Sequence, residues 1–183
     1  MFDNARPKTA CPGADYAQRI DFCEVFEREM KPLYLLAFLL TANHKDAEQC
    51  FTATLDQALK EQAVFKEWRR SWVKRSLINN AIQITSPTSG RGPGKRDLWR
   101  IGEHGTGGHV EIDAVTRLAP CERFVFVISV LERYSAWECS LLLGCSMEKV
   151  ARVRAQALHE LPGWDAFIPG SEAMLLSSLQ MSA

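Results

Sequence analysis

The chain has 183 residues, 46% hydrophobic and 24% charged, with 22 Lys and Arg against 22 Asp and Glu. That composition supports a packed core and excludes a wholly disordered chain. Zero net charge excludes a globally basic nucleic-acid binder, so any patch that attracts phosphates must be local. The six cysteines (Cys11, Cys23, Cys50, Cys121, Cys139 and Cys145) form no C-x-x-C pair, and a chain of this size needs no disulfide staples. No apolar signal core follows Met1, and the longest apolar run, 33–40, is far below the roughly 20 residues that span a bilayer. These features predict a cytoplasmic protein with reduced thiols and no membrane insertion.

Residues 1–14, with Pro7, Pro12 and Gly13, read as a disordered tail, and 15–84 as a helical domain. Phe22, Phe26, Met30, Leu33, Ala37 and Leu40 recur at spacings of three and four, predicting one buried helix face. Pro32 predicts a kink in it. After Asn43-His44 a second helix opens, with Asp46 and Glu48 in its first turn, where the macrodipole favours carboxylates. Its inward face reads Ala47, Cys50/Phe51, Thr54/Leu55 and Ala58/Leu59.

A third helix is expected from about Phe65 to Ile84, with Val73, Leu77, Ala81 and Ile84 inward. Trp68 and Trp72 lie on an adjacent stripe among Lys66, Arg69, Arg70, Lys74 and Arg75. With Glu67 these charges sum to +4. Cations can track a phosphate backbone while aromatic faces stack on unpaired bases. The alternative is that both tryptophans pack in the core and the charges form a solvated face.

Residues 85–117, rich in Gly, Pro and Ser, read as a linker without regular structure. Within it, 90–96 lacks the first glycine, the Ser/Thr after lysine and the preceding strand of a phosphate loop. His104 and His109 have no cysteine near them, so no zinc site is expected. Residues 118–162 read as a second helical domain, with Pro120 in the first turn of a helix carrying Phe124, Val127, Ile128 and Leu131.

Ser135-Ala136-Trp137-Glu138 is a capping box before a short helix; Gly144-Cys145-Ser146 is a tight turn, and a last helix runs from Met147 to Leu161. This is the helix-turn-helix pattern, whose second helix can enter a major groove; an ordinary helical hairpin has the same outline. Cys139 and Cys145, on either side of the turn, read as small buried packing residues. The tail 163–183 alternates apolar and small residues and has no assigned role. The fold class is therefore all-α: two small helical domains joined by a flexible linker, the second a helix-turn-helix. No nucleophilic or paired-carboxylate arrangement suggests an enzyme, and no metal or cofactor is implied.

Residues 118–161 resemble the promoter-reading C-terminal domain of the extracytoplasmic-function sigma factors of bacterial RNA polymerase. The shared frame is Leu118-x4-Arg123, Tyr134-Ser135-x2-Glu138, Leu143-Gly144-Cys145-Ser146-x3-Val150 and Ala157. Residues 22–82 resemble the family's N-terminal domain through Phe26, Leu33-Tyr34-x2-Ala37, Asp46-Ala47-Glu48, Phe65 and Trp72-Val73-x5-Asn79. The resemblance implies that core RNA polymerase docks on Asp46, Glu48, Gln49 and Thr52. It implies that melted promoter DNA meets Lys66, Trp68, Arg69, Arg70, Lys74, Arg75 and Asn79. The distal element would be read by Lys149, Arg152, Gln156 and His159, with an anti-sigma factor as a further partner.

The chain departs from the family pattern at two places. Gln49, Thr52 and Ala53 replace charged or Gln-Glu positions on the second helix, and the last helix carries Ala151, Val153, Gln156, Leu158 and His159 where the family is basic. Helical geometry alone puts Val150, Val153, Ala157 and Leu161 inward and Glu148, Arg152, Ala155 and His159 outward, flanked by Lys149 and Gln156. Arg152 could take a guanine edge and Gln156 an adenine. Residues 118–183 hold five Lys and Arg against seven Asp and Glu, a net charge of −2, which opposes DNA binding. A second reading is therefore a sigma-like protein that acts by protein–protein contact without reading DNA.

Overall fold

The computed structural model describes residues 15–61, 63–88 and 110–161. The expectations for the tail 1–14, the Gly-rich stretch 89–109 and the C-terminal stretch from 162 onward lie outside the described residues.

Helix α1 (Arg19–Thr41) is started by Asp21, whose Oδ2 accepts the Gln18 backbone N–H at 2.8 Å. It buries Phe22, Phe26, Leu33, Ala37 and Leu40 as the spacing requires. Met30, expected on that face, is exposed. The reason lies beside it: Glu29 leaves the helical region (φ −113°, ψ 18°), three residues before Pro32. Proline donates no N–H and its ring crowds the carbonyl four residues back, so the helix bends and the periodicity slips there.

Asn43 caps helix α2 (His44–Ala58), its side chain accepting the Lys45 N–H at 2.8 Å. Ala47, Cys50, Thr54 and Ala58 face inward, and the Cys50 thiol donates to the Leu77 carbonyl at 3.2 Å. Burial pushes that thiol's pKa up to about 12.

The connection to α3 pairs with the chain before α1. Ala17 N–H donates to Val64 O and Lys66 N–H to Asp15 O, both at 2.8 Å, and the Tyr16 and Phe65 rings stack at 4.9 Å. This bridge holds Phe65 extended, so the third helix starts later than periodicity suggests. A single 3₁₀ turn, Lys66–Trp68, leads into α3 (Arg69–Thr85), which buries Val73, Leu77, Ile78 and Ala81.

Helix α4 (Val110–Arg117) occupies the last part of the stretch whose composition suggested a linker without regular structure. Its Val115 is buried and Ile112 half-buried, so this segment is ordered by packing against the core despite the Gly-rich chain before it. Pro120 opens α5 (Pro120–Phe126), where Phe124, Val125 and Phe126 are all buried. The winding then widens over Val127–Leu131, with Glu132 N–H reaching back five residues to Val127 O at 3.0 Å.

Helix α6 (Ala136–Leu143) carries the predicted capping box. Ser135 Oγ accepts the Glu138 N–H at 3.2 Å, and Glu138 Oε2 accepts the Ser135 N–H at 2.8 Å. Gly144 ends it at φ 60°, a left-handed conformation that glycine adopts without strain. Ser146 then caps α7 (Met147–Glu160), accepting the Lys149 N–H at 3.2 Å.

The fold is all-α, and among the described residues no strand forms beyond the isolated Tyr16–Phe65 bridge. Helices α1, α2 and α3 pack on one another, α5 packs on α7, and α1 also meets α4 and α5. One hydrophobic core therefore runs from Ala17 to Leu161. Two polar ties reinforce this join. Arg123 Nε on α5 donates to Leu40 O on α1 at 3.1 Å, and Lys74 Nζ on α3 meets Glu132 Oε2 at 2.6 Å. No described helix is long and apolar enough to cross a membrane.

Candidate nucleic-acid interface

Three rings are arranged in series where α3 begins. Tyr16 stacks on Phe65, and Trp68 stands edge-on to Phe65 at a centroid distance of 5.1 Å. Trp68 is 58% exposed, so an aromatic face is open to solvent beside Lys66 and Arg69. Trp72 plays a different part: it is half-buried and tilts against the fully buried Phe22 at 5.5 Å. Of the two tryptophans, then, one is offered to solvent and the other packs. Tyr16 escaped the sequence reading because its partner, Phe65, lies far along the chain and only the backbone bridge joins them.

The five cations of this segment are less free than their spacing implies. Lys66 Nζ lies 3.1 Å from Asp21 Oδ1, Arg70 Nε 2.5 Å from Glu29 Oε1, and Lys74 meets Glu132. Three carboxylates from outside α3 thus cut the local surplus from four positive charges to one. The Asp21 carboxyl is held below its usual range by the Gln18 backbone N–H and then by Lys66, whose ammonium is raised in return. The Arg69 guanidinium turns back to the Lys66 carbonyl, bracing the 3₁₀ turn, while its buried Nε has no partner. Arg69 and Arg70 line a cleft of about 260 Å³ with Glu24, Arg28, Glu29 and Glu67, a wall of alternating sign.

Arg75 and Asn79, four apart on α3, are both exposed. Arg75 acts on Glu138, whose carboxyl is lowered mainly by the Ser135 hydroxyl and backbone N–H and only slightly by this guanidinium. None of the carboxylate partners was legible as such, because Asp21, Glu29 and Glu132 approach α3 only through tertiary packing.

On α7, Arg152, Gln156 and His159 are exposed and Lys149 is half-buried. Helical geometry places these four on one stripe, and the N-terminal helices leave it uncovered. On α2, Glu48, Gln49 and Thr52 are exposed and Asp46 half-buried, opposite the face that packs on α3. The Thr52 hydroxyl is occupied, donating to Glu48 O at 2.8 Å and Gln49 O at 3.1 Å.

Cys139 is fully buried, its thiol pushed up to about 11 by desolvation, while Cys145 is half-buried. Among the described residues no group of three or more His, Cys, Asp or Glu side chains is placed to hold a metal ion. No protein-family model matches this sequence, and no curated protein matches it.

Proposed function

We propose that the chain is a sigma-like transcription initiation factor that binds core RNA polymerase and promoter DNA and catalyses no reaction itself. In this reading 15–84 and 118–162 are two functional domains, and α6 and α7 form a helix-turn-helix. The outward face of α2, with Asp46, Glu48, Gln49 and Thr52, meets polymerase. The start of α3 takes melted DNA, with Trp68 stacking on an unpaired base and Arg69, Arg70 and Arg75 following its phosphates. The α7 stripe, Lys149, Arg152, Gln156 and His159, lies in the major groove.

The observation that carries this reading is the solvent-facing pairing of Trp68 with a basic helix start, alongside an uncovered polar stripe on α7. A core helical bundle has no need of a 58% exposed tryptophan beside Lys66 and Arg69. The test is in vitro transcription from the upstream region of the chain's own gene, with purified core polymerase at several salt concentrations. Protein-dependent initiation that falls with Trp68→Ala and with Arg152→Ala supports the proposal. Polymerase binding without promoter opening excludes it.

A second reading, a sigma-like protein acting by protein contact on polymerase or an anti-sigma factor, is favoured by one observation. Three of the five cations between Lys66 and Arg75 already have carboxylate partners within the chain.

A further inference from the structure

Among the described residues, helix α6 has an outer face that nothing covers. Its sequence, AWECSLLL, contains one charge, and that carboxylate is committed to the Ser135 cap. Trp137 is 60% exposed and Leu141, four residues on, 55%; across the Gly144 turn Met147 is 53% exposed. Residues four apart on a helix share a face, so Trp137 and Leu141 form an apolar stripe that continues toward the start of α7. Single exposed apolar residues are ordinary, whereas three large ones within eleven residues of one short helix and its turn form a patch.

We infer that this stripe is the docking surface for residues 163–183 of the same chain. Leu161, the last described residue before this segment, is buried just after α7, the helix that packs on α6. Eight of the 21 residues in 163–183 are large and apolar, and Leu175 and Leu179 repeat the four-residue spacing of Trp137 and Leu141. Charge agrees: the segment's only ionic side chains are Asp165 and Glu172, while α7 carries Lys149, Arg152 and Arg154 against Glu148 and Glu160, a surplus of one positive charge. Reach is ample. Helix α7 is about 21 Å long at 1.5 Å per residue, and residues 162–173 span up to about 40 Å when extended. The inference rests on the apolar face of α6, on the composition of this segment and on the neighbouring charges of α7, and it does not require the function proposed above.

The experiment is titration with the apolar-surface dye bis-ANS of the full chain, of a chain ending at Pro162, and of the shortened chain with a synthetic peptide of residues 163–183. The full chain is expected to bind little dye, the shortened chain several-fold more, and the peptide to suppress the gain. Leu141→Glu in the shortened chain should return dye binding to the full-chain level, which locates the exposed surface on α6. If the shortened chain loses helical circular dichroism, Leu175→Glu with Leu179→Glu in the full chain takes its place and should raise dye binding equally. Equal dye binding with and without the segment overturns the proposal, as does a gain that Leu141→Glu leaves unchanged. A full chain that gains dye binding on dilution, as a dimer dissociates in sedimentation, also overturns it, because a second copy then covers the face.

Discussion

The guanidinium of Arg123 on α5 donates from Nε to the carbonyl oxygen of Leu40, one residue from the end of α1, at 3.1 Å. Its Nη1 reaches Thr116 O at 3.3 Å and Leu118 O at 3.1 Å, at the end of α4. All three acceptors are backbone carbonyls near helix C-termini, where intrahelical donors run out and the macrodipole is negative. One buried cation thus satisfies the ends of two helices. Burial lowers its pKa to about 10, and it remains charged at neutral pH.

Arg123→Ala should destabilise the fold by about 3 kcal/mol, because it orphans two buried carbonyls and one part-buried one and opens a cavity. Arg123→Met should cost less, since it fills the space and abolishes the desolvation penalty of the charge. Urea unfolding of the three proteins measures the order. Equal losses for the two variants would mean that the hydrogen bonds alone account for the effect.

The Lys74–Glu132 pair joins α3 to the connection before α6 and is partly exposed at both ends. Its removal in Glu132→Gln should cost no more than about 1 kcal/mol of stability. The freed ammonium adds one phosphate contact, so log K for single-stranded DNA should fall with log salt more steeply, by about 0.7. Fluorescence anisotropy across a salt series reads this slope. An unchanged slope removes Lys74 from the interface.

Asp21 links the start of α1 to Lys66. Its folded pKa lies below the ordinary carboxyl value of 3.8, through the Gln18 N–H and then Lys66. A lowered carboxyl pKa contributes stability above the unfolded value, and that contribution disappears as pH falls through the folded one. Asp21→Asn should therefore lower Tm at pH 6, and its deficit should shrink as the pH drops below about 4. Thermal melts of both proteins from pH 7 to pH 2.5 test the convergence. A constant gap would assign Asp21 a packing role only.

Trp68 and Trp72 separate binding from packing. Trp72→Ala should destabilise by about 2 kcal/mol, because the half-buried indole leaves a gap against Phe22. Trp68→Ala should change stability by less than about 1 kcal/mol and weaken single-stranded DNA binding by about 1–3 kcal/mol. Denaturation and anisotropy on the same two variants make the comparison. Loss of stability without loss of binding in Trp68→Ala would reduce the aromatic series to a local brace.

The helices were readable where a periodic apolar stripe and a local cap coincide. Asn43, Ser135 with Glu138, and Ser146 each act within three or four residues, so their roles follow from spacing. Met30 was misplaced because periodicity carries no record of the dihedral change at Glu29. Helix α4 was missed because composition described the Gly-rich chain before it, whereas Val115 is ordered by the core it meets. At the candidate interface the cations and the exposed tryptophan were legible as residue types. Their neutralisation was not: Asp21 and Lys66 are 45 positions apart, and Lys74 and Glu132 are 58. Only tertiary packing brings such pairs together.

The Cys50 thiol is sealed between α2 and α3, its pKa pushed up to about 12 by burial and its S–H donating to the Leu77 carbonyl. The thiolate is the reactive species toward alkylating reagents, so Cys50 stays silent while the helices are closed and reacts only when they part. Cys23, Cys121 and Cys145 are half-exposed and should label earlier. Peptide-resolved labelling of Cys50 at increasing reagent concentration is thus a clock native to the protein. Its limiting rate counts how often α2 and α3 separate, with no probe introduced and no denaturant added.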